Sequence, residues 1–338
     1  MLGERRAKFC EERERVQTMR FCRIYHEPGG WGMAARSPHA FAVHALLRFN
    51  GVEYMVTANR SVSASMTPSH VLPVLALGSE EGENEEWDDV LLAGFPAIAK
   101  ALVEKGWSLD AKLTKTQLAE CLAFATTMDA ILERARLFEW FLIEENFEVV
   151  HKVLAQDLSF PLSWIVPAMQ RREARDRLRH MVVDEAGLWF DVRECLHALS
   201  VRLGDRKAFF YGDSPSSLDA LLFGFLAIII HTPVPHAQTR AILAEFPNLV
   251  QFCNRIQQQY FVDAGLGDFS SSSFNNHAPR AGNRSATSQR DRKKLLTPEE
   301  EARRQRNKLF VALTVGSFIG YALFGSELEF EGISLDVE

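Results

Sequence analysis

The sequence predicts a small α/β domain followed by an all-α domain, on three observations. Short β-type runs alternate with helical patterns from Phe21 to about Gly106. From Thr114 to about Phe261 the strand signals vanish, and Ala, Leu, Glu and Arg dominate long helical stretches. Within that second part Ser216 and Asp219 open an apolar run, Ala220–Ile230, which as a helix would be apolar nearly all round and so would form the centre of a bundle.

Residues 1–20 read as a charged extension. Glu4, Glu11, Glu12 and Glu14 are interleaved with its arginines, a composition unlike a mitochondrial presequence or a secretory signal. Domain one then spans 21–106. Phe21–Tyr25 is a strand, ended by the turn-rich Pro28-Gly29-Gly30. Ser37 as N-cap and Pro38 at the first helical position start a helix that stops near Asn50-Gly51. Val52–Val56 and Val71–Leu77 are the next strands, with Pro73 inside the second. Glu80–Asp89 reads as an exposed acidic loop, and Leu91–Lys105 as a helix.

Domain two spans 110–262, with helical stretches over Gln117–Glu144, Glu173–Met181 and Val192–Leu203. Its sharpest signal is Gly212-Asp213-Ser214-Pro215-Ser216-Ser217-Leu218-Asp219-Ala220. Here Ser216 and Asp219 stand three apart, so each side chain can reach the other's amide in a capping box, contributing about 1 kcal/mol. Residues 264–296, with four consecutive serines and few large apolar side chains, read as a disordered linker. Thr297-Pro298-Glu299-Glu300 starts a further helix over 298–325, and 326–338 is an acidic tail.

That last helix carries an uncharged stretch from Leu309 to Phe324, including Gly316, Gly320 and Tyr321. Arg303, Arg304, Arg306 and Lys308 precede it. Sixteen helical residues rise about 24 Å, short of the roughly 30 Å hydrocarbon core of a bilayer. Snorkelling by Lys308 or local thinning would close the difference. A buried core helix is the competing reading, but the charge step favours a membrane anchor with the bulk of the chain in the cytosol. Gly316 and Gly320 have the spacing for close helix packing, although glycine is frequent in membrane helices anyway.

The net charge of −6 gives no basic field for nucleic acid. Ten histidines are scattered without metal-ligand spacing, so neither a metal nor a cofactor is expected. Cys10, Cys22, Cys121, Cys195 and Cys253 lie far apart, as reduced, mostly buried thiols do.

Several motifs carry a family resemblance. The α/β-then-all-α order, the capping box, Val71-Leu72-Pro73 and Phe246-Pro247-Asn248-Leu249 together resemble glutathione-transferase-like proteins. In that superfamily a cis-proline sits where Pro73 stands, in a thioredoxin-like domain. The resemblance narrows with Gly29-Gly30-Trp31-Gly32, Asp157-Leu158-Ser159-Phe160-Pro161-Leu162, the Arg193–Gly204 block and Phe209–Ala220. With the linker, basic run and Gly-Tyr-Ala-Leu segment, these are similar to the tail-anchored type of metaxin over about 21–325. The resemblance implies a non-enzymatic, cytosol-facing subunit of the mitochondrial outer-membrane sorting and assembly machinery. It also implies two partners in β-barrel insertion and protein import: a β-barrel assembly subunit and a second metaxin-like protein.

Two rivals stand beside this reading: a membrane-anchored glutathione-dependent transferase, and a mitochondrial adaptor for motor or contact-site proteins. A transferase needs a hydroxyl or thiol at the first strand–helix junction, where only Ser37 is near. It also tends to carry an acid–serine pair where Gly94-Phe95 stands. Trp31 is a candidate partner anchor, or it packs on its own domain. Arg171, Arg172 and Arg175, with Arg177 and Arg179, are candidate contacts to lipid phosphates or an acidic partner, or a solvated face paired with Glu173 and Asp176.

Overall fold

In the sheet, β1 (Phe21–Tyr25) lies between β2 (Tyr54–Thr57), which is parallel to it, and β3 (Val74–Glu80), which is antiparallel. The strand β4 (Glu85–Ala93) completes the order β2-β1-β3-β4. The structure is a computed structural model, and it describes residues 21–58, 67, 69, 71–80, 85–156, 158–179 and 184–261. Ile24 pairs with Leu75 on one side and Val56 on the other, and both Ile24 and Leu75 are fully buried. The parallel pair requires a crossover, supplied by helix α1 (Pro38–Phe49), while α2 (Phe95–Glu104) follows β4. The Leu72–Pro73 peptide preceding β3 is cis.

The segment read as an acidic loop is partly strand. β4 runs through Glu85–Ala93, and the helix begins only at Phe95. Pairing of β4 with β3 from Val74↔Ala93 to Glu80↔Glu85 overrides the weak β propensity of the acids. An edge strand also tolerates charge, which discourages further pairing. Gly94 ends β4 at φ +79, a left-handed conformation suited to glycine, and its amide donates to the Pro73 carbonyl at 2.8 Å.

The helical domain consists of α3 (Lys115–Leu137), α4 (Glu144–Ala155), α5 (Leu162–Leu178), α6 (Glu185–Leu203), α7 (Ser217–His231), α8 (Gln238–Leu243) and α9 (Pro247–Tyr260). Helix α3 starts in a capping box between Thr114 and Gln117. The expected single helix Gln117–Glu144 is broken by a π-helical turn at Phe138–Leu142 and an extended Ile143. The break inserts Glu139 and Trp140 into the interior, and the Asn146 side chain donates to the Glu139 carbonyl at 2.9 Å. Helix α5 begins at Leu162, eleven residues before the expected Glu173, with Pro161 at its N-cap. Its expected end at Met181 lies outside the described residues.

Helix α7 is the hub. Twelve of its fifteen residues are buried, consistent with its all-round apolar sequence. Among the described residues no helix is long and apolar enough to cross a membrane. The stretch 309–324, its basic flank, the linker, the acidic tail and residues 1–20 all lie outside them.

Candidate functional site

The N-terminus of α7 collects two carboxylates, and the capping box is the inner one. The Asp219 carboxylate accepts from the Ser216 amide at 2.8 Å, the Ser216 hydroxyl at 2.5 Å and the Phe210 amide at 3.0 Å. The Ser216 Oγ in turn accepts from the Asp219 amide. Burial nonetheless outweighs these donors and pushes the Asp219 carboxyl up to about 6. Outside the box, Asp110 from the interdomain connection accepts from the Ser217 amide at 2.9 Å and hydroxyl at 2.5 Å. The helix end is thus tied both to the preceding loop and to the junction between the domains.

The seam between the domains is a continuation of the same core. At Gly224 on α7 an added Cβ would lie 2.2 Å from the Pro38 carbonyl oxygen of α1, so only glycine allows the two helices to approach this closely. His39 Nε2 lies 2.7 Å from an Asp129 carboxylate oxygen on α3. The Arg48 guanidinium donates to the Tyr260 carbonyl and lies 4.4 Å from the Phe261 ring centroid.

The junction between β1 and α1 is filled by interdomain packing. In the β1–α1 loop, Trp31 is half-buried and lies edge-on to Trp140, with ring centroids 5.4 Å apart. A Cβ on neighbouring Gly30 would meet Val153 Cγ1 at 2.4 Å, and Arg36 donates to the Val153 carbonyl at 3.2 Å. Ser37 stands at the N-cap in extended backbone, yet its side chain makes no cap hydrogen bond. The helix start relies instead on Pro38 at its first position.

The described thiols are poor nucleophiles. Cys22, Cys121, Cys195 and Cys253 are free and buried. Burial pushes Cys22 up to about 11 and Cys195 up to about 12, and it raises Cys121 and Cys253 as well. Each therefore stays a neutral thiol at physiological pH. Among the described residues no cluster of three or more His, Cys, Asp or Glu could hold a metal ion.

One polar chain was not legible in the sequence. His26 Nδ1 faces the Glu27 carbonyl at 2.7 Å, which accepts only, so this nitrogen carries the proton. His26 Nε2 then accepts from His44 Nε2 at 3.1 Å, and His44 Nδ1 accepts from the Tyr54 hydroxyl at 3.0 Å. Tyr54 finally accepts from Arg48 Nε at 2.8 Å. Every link is satisfied with both imidazoles neutral. Burial lowers His26 and, helped by His26 and Arg48, takes His44 down to about 3. His44, Arg48, Tyr54 and Phe261 also line an open cavity of about 650 Å³.

The arginine-rich helix α5 divides. Arg171 is drawn inward: it pairs with Glu144 at 2.5 Å, donates to the Phe141 carbonyl at 2.9 Å and lies over the Phe147 ring. This pairing lowers the Glu144 carboxyl. Arg177 pairs with Glu173 at 2.8 Å, and Arg172 approaches Asp176 at 3.9 Å. Arg175 and Arg179 are exposed and have no ion pair among the described residues.

Many residues that carry the family resemblance turn out to be structural fasteners. Ser200 Oγ donates to Asn248 at 2.8 Å, and Arg193 pairs with Glu245 at 2.8 Å. Arg202 pairs with Glu120 at 2.9 Å and donates to the Phe210 carbonyl at 3.2 Å.

A thioredoxin-like sheet with a cis-proline ahead of its third strand, joined to a bundle capped at its central helix, defines the glutathione-transferase-like class. A glutathione transferase from Phanerochaete chrysosporium has the same fold, with TM-score 0.51 at 15% identity over 73% of this chain and 100% of that one. Residues 192–256 match the family described as glutathione S-transferase, C-terminal domain. Residues 40–171 match the family described as outer mitochondrial membrane transport complex protein. The chain is 30% identical to metaxin-1 of Sus scrofa over 305 residues, 87% of each protein. It is 28% identical to metaxin-3 of Danio rerio over 70% of this chain and 74% of that one. It is also 28% identical to human metaxin-2, over 68% of this chain and 85% of that one. The chain belongs to the metaxin family.

Proposed function

We propose that the chain is a non-enzymatic subunit of the mitochondrial outer-membrane sorting and assembly machinery. It acts as a cytosol-facing binding platform in β-barrel insertion and mitochondrial protein import. The observation that carries this reading is the metaxin relationship over 87% of the chain. The match of residues 40–171 to an outer mitochondrial membrane transport complex family supports it further. The filled β1–α1 junction and the neutral, buried thiols speak for binding over glutathione chemistry. In this reading Leu309–Phe324 holds the chain on the membrane, and Arg303, Arg304, Arg306 and Lys308 stay on the cytosolic side. The partners are a β-barrel assembly subunit and a second metaxin-like protein.

The test is to solubilise tagged full-length protein from mitochondria in mild detergent and identify what copurifies. A β-barrel subunit together with another metaxin-like protein is the expected result. Protein recovered alone, retained on glutathione-agarose and active in conjugation, would replace the platform with an enzyme.

A further inference from the structure

Helix α5 opens on a surface that its own fold leaves bare. Phe160 is 71% exposed, Leu162 48%, Trp164 73%, Ile165 46% and Met169 64%. Leu162, Ile165 and Met169 follow the i, i+3, i+7 spacing of one helix strip, with Phe160 in the turn before, and Trp164 is exposed about 100° round the helix from Ile165. Large side chains grouped this way on a monomer mark a contact surface. The opposite strip, Pro167, Ala174 and Leu178, is the one packed into the bundle.

We propose that this end of α5 inserts into the headgroup region of an anionic phospholipid bilayer. Apolar and charged residues are separated along the helix, from one end to the other. The apolar strip from Leu162 to Met169 extends about 10 Å along the axis, comparable to the roughly 5–10 Å depth that interfacial helices reach. The exposed Arg172, Arg175 and Arg179 follow in the next turns, at the level of the lipid phosphates. Over residues 171–179 five arginines face two acids, so this half of the helix is net positive and complements an anionic surface. Tryptophan and arginine are side chains suited to that boundary, with apolar bodies and polar ends.

The inference rests on the reading of the chain as an outer-membrane protein, and it adds a second contact with the lipid besides the terminal anchor. Because the anchor alone would bring the protein down with vesicles, the readout has to be local. Full-length protein carrying Cys10→Ser and Ile165→Cys is labelled with an environment-sensitive fluorophore. It is reconstituted into phosphatidylcholine vesicles with or without phosphatidylinositol. Trp164→Cys serves as the second labelling site, and Asp205→Cys as a control at an exposed connection. An unfolding midpoint equal to that of unlabelled protein verifies the fold.

In anionic vesicles, nitroxides on the lipid acyl chains should quench the label at 165 or 164 severalfold more than aqueous iodide does. Arg172→Glu, Arg175→Glu and Arg179→Glu together should cut that lipid quenching severalfold. A label open to iodide and untouched by lipid nitroxides would overturn the proposal. So would a label shielded from both quenchers, which would instead assign the face to a protein partner. Copurification of the assembly subunits is scored separately on the same protein. Lipid quenching lost with copurification retained removes the inference alone, and the reverse result removes only the proposed function.

Discussion

Gly224 of α7 lies so close to α1 that a Cβ there would overlap the Pro38 carbonyl oxygen at 2.2 Å and crowd the Ala42 amide at 2.9 Å. Both neighbours are backbone, so neither can swing aside. Gly224→Ala should therefore push the two domains apart and destabilise the chain by about 1–3 kcal/mol. Gly187→Ala, in the first turn of α6, meets nothing nearer than 3.8 Å and should be neutral or slightly stabilising. Urea midpoints of the two variants measure the difference, and equal midpoints would contradict the close approach.

Asp219 has a larger role than a surface cap. Its carboxylate accepts from two backbone amides and one hydroxyl, all buried. Asp219→Ala strands these donors, so the expected loss is about 3 kcal/mol, above the 1 kcal/mol of an ordinary cap. Asp219→Asn retains one acceptor oxygen and should lose less. Chemical denaturation of both variants decides between a cap and a buried network.

The neutral His26–His44 pair makes stability depend on pH. In the folded protein both histidines protonate below the ordinary value, His44 only at about 3, whereas the unfolded chain takes these protons up near 6.5. The unfolded state therefore binds more protons as pH falls below 6.5, and stability drops with it. Between pH 6.5 and 5, His44 alone should contribute about 2 kcal/mol of this loss. His44→Gln should flatten the decline by that amount in urea titrations at the two pH values.

Glu139 should act in the opposite sense. It is buried at the π-helical turn, and its carboxyl is pushed up to about 7 although the Thr239 amide donates to it at 2.6 Å. Its folded value is raised, so its contribution is full below about pH 4.5 and is lost as pH rises through 7. Relative to Glu139→Gln, the native protein should lose about 3 kcal/mol between pH 4.5 and 8. Stability curves of the pair that run parallel would show that Glu139 does not titrate in this range.

Much of the architecture is determined by sequence alone. The period of the apolar residues separates strands from helices, Ser37-Pro38 and Ser216–Asp219 mark two helix starts, and the all-round apolar Ala220–Ile230 identifies the central helix. These signals are local, because capping and periodicity depend on residues a few positions apart.

The tertiary structure decided whatever depends on distant partners. Pairing with β3 made a strand of acidic residues at Glu85–Ala93. A π-helical turn at Phe138–Leu142 broke a helix whose sequence reads as continuous, and left Glu139 buried. Asp110 reached Ser217 across 107 positions, and His26 met His44 between a strand and a helix. Arg171 turned inward to Glu144 and Phe141, while the apolar strip ahead of it on α5 faced solvent. Residue type alone does not separate a core leucine from an exposed one. Burial is decided by which surfaces the folded chain brings together, and contacts between distant positions leave no period in the sequence.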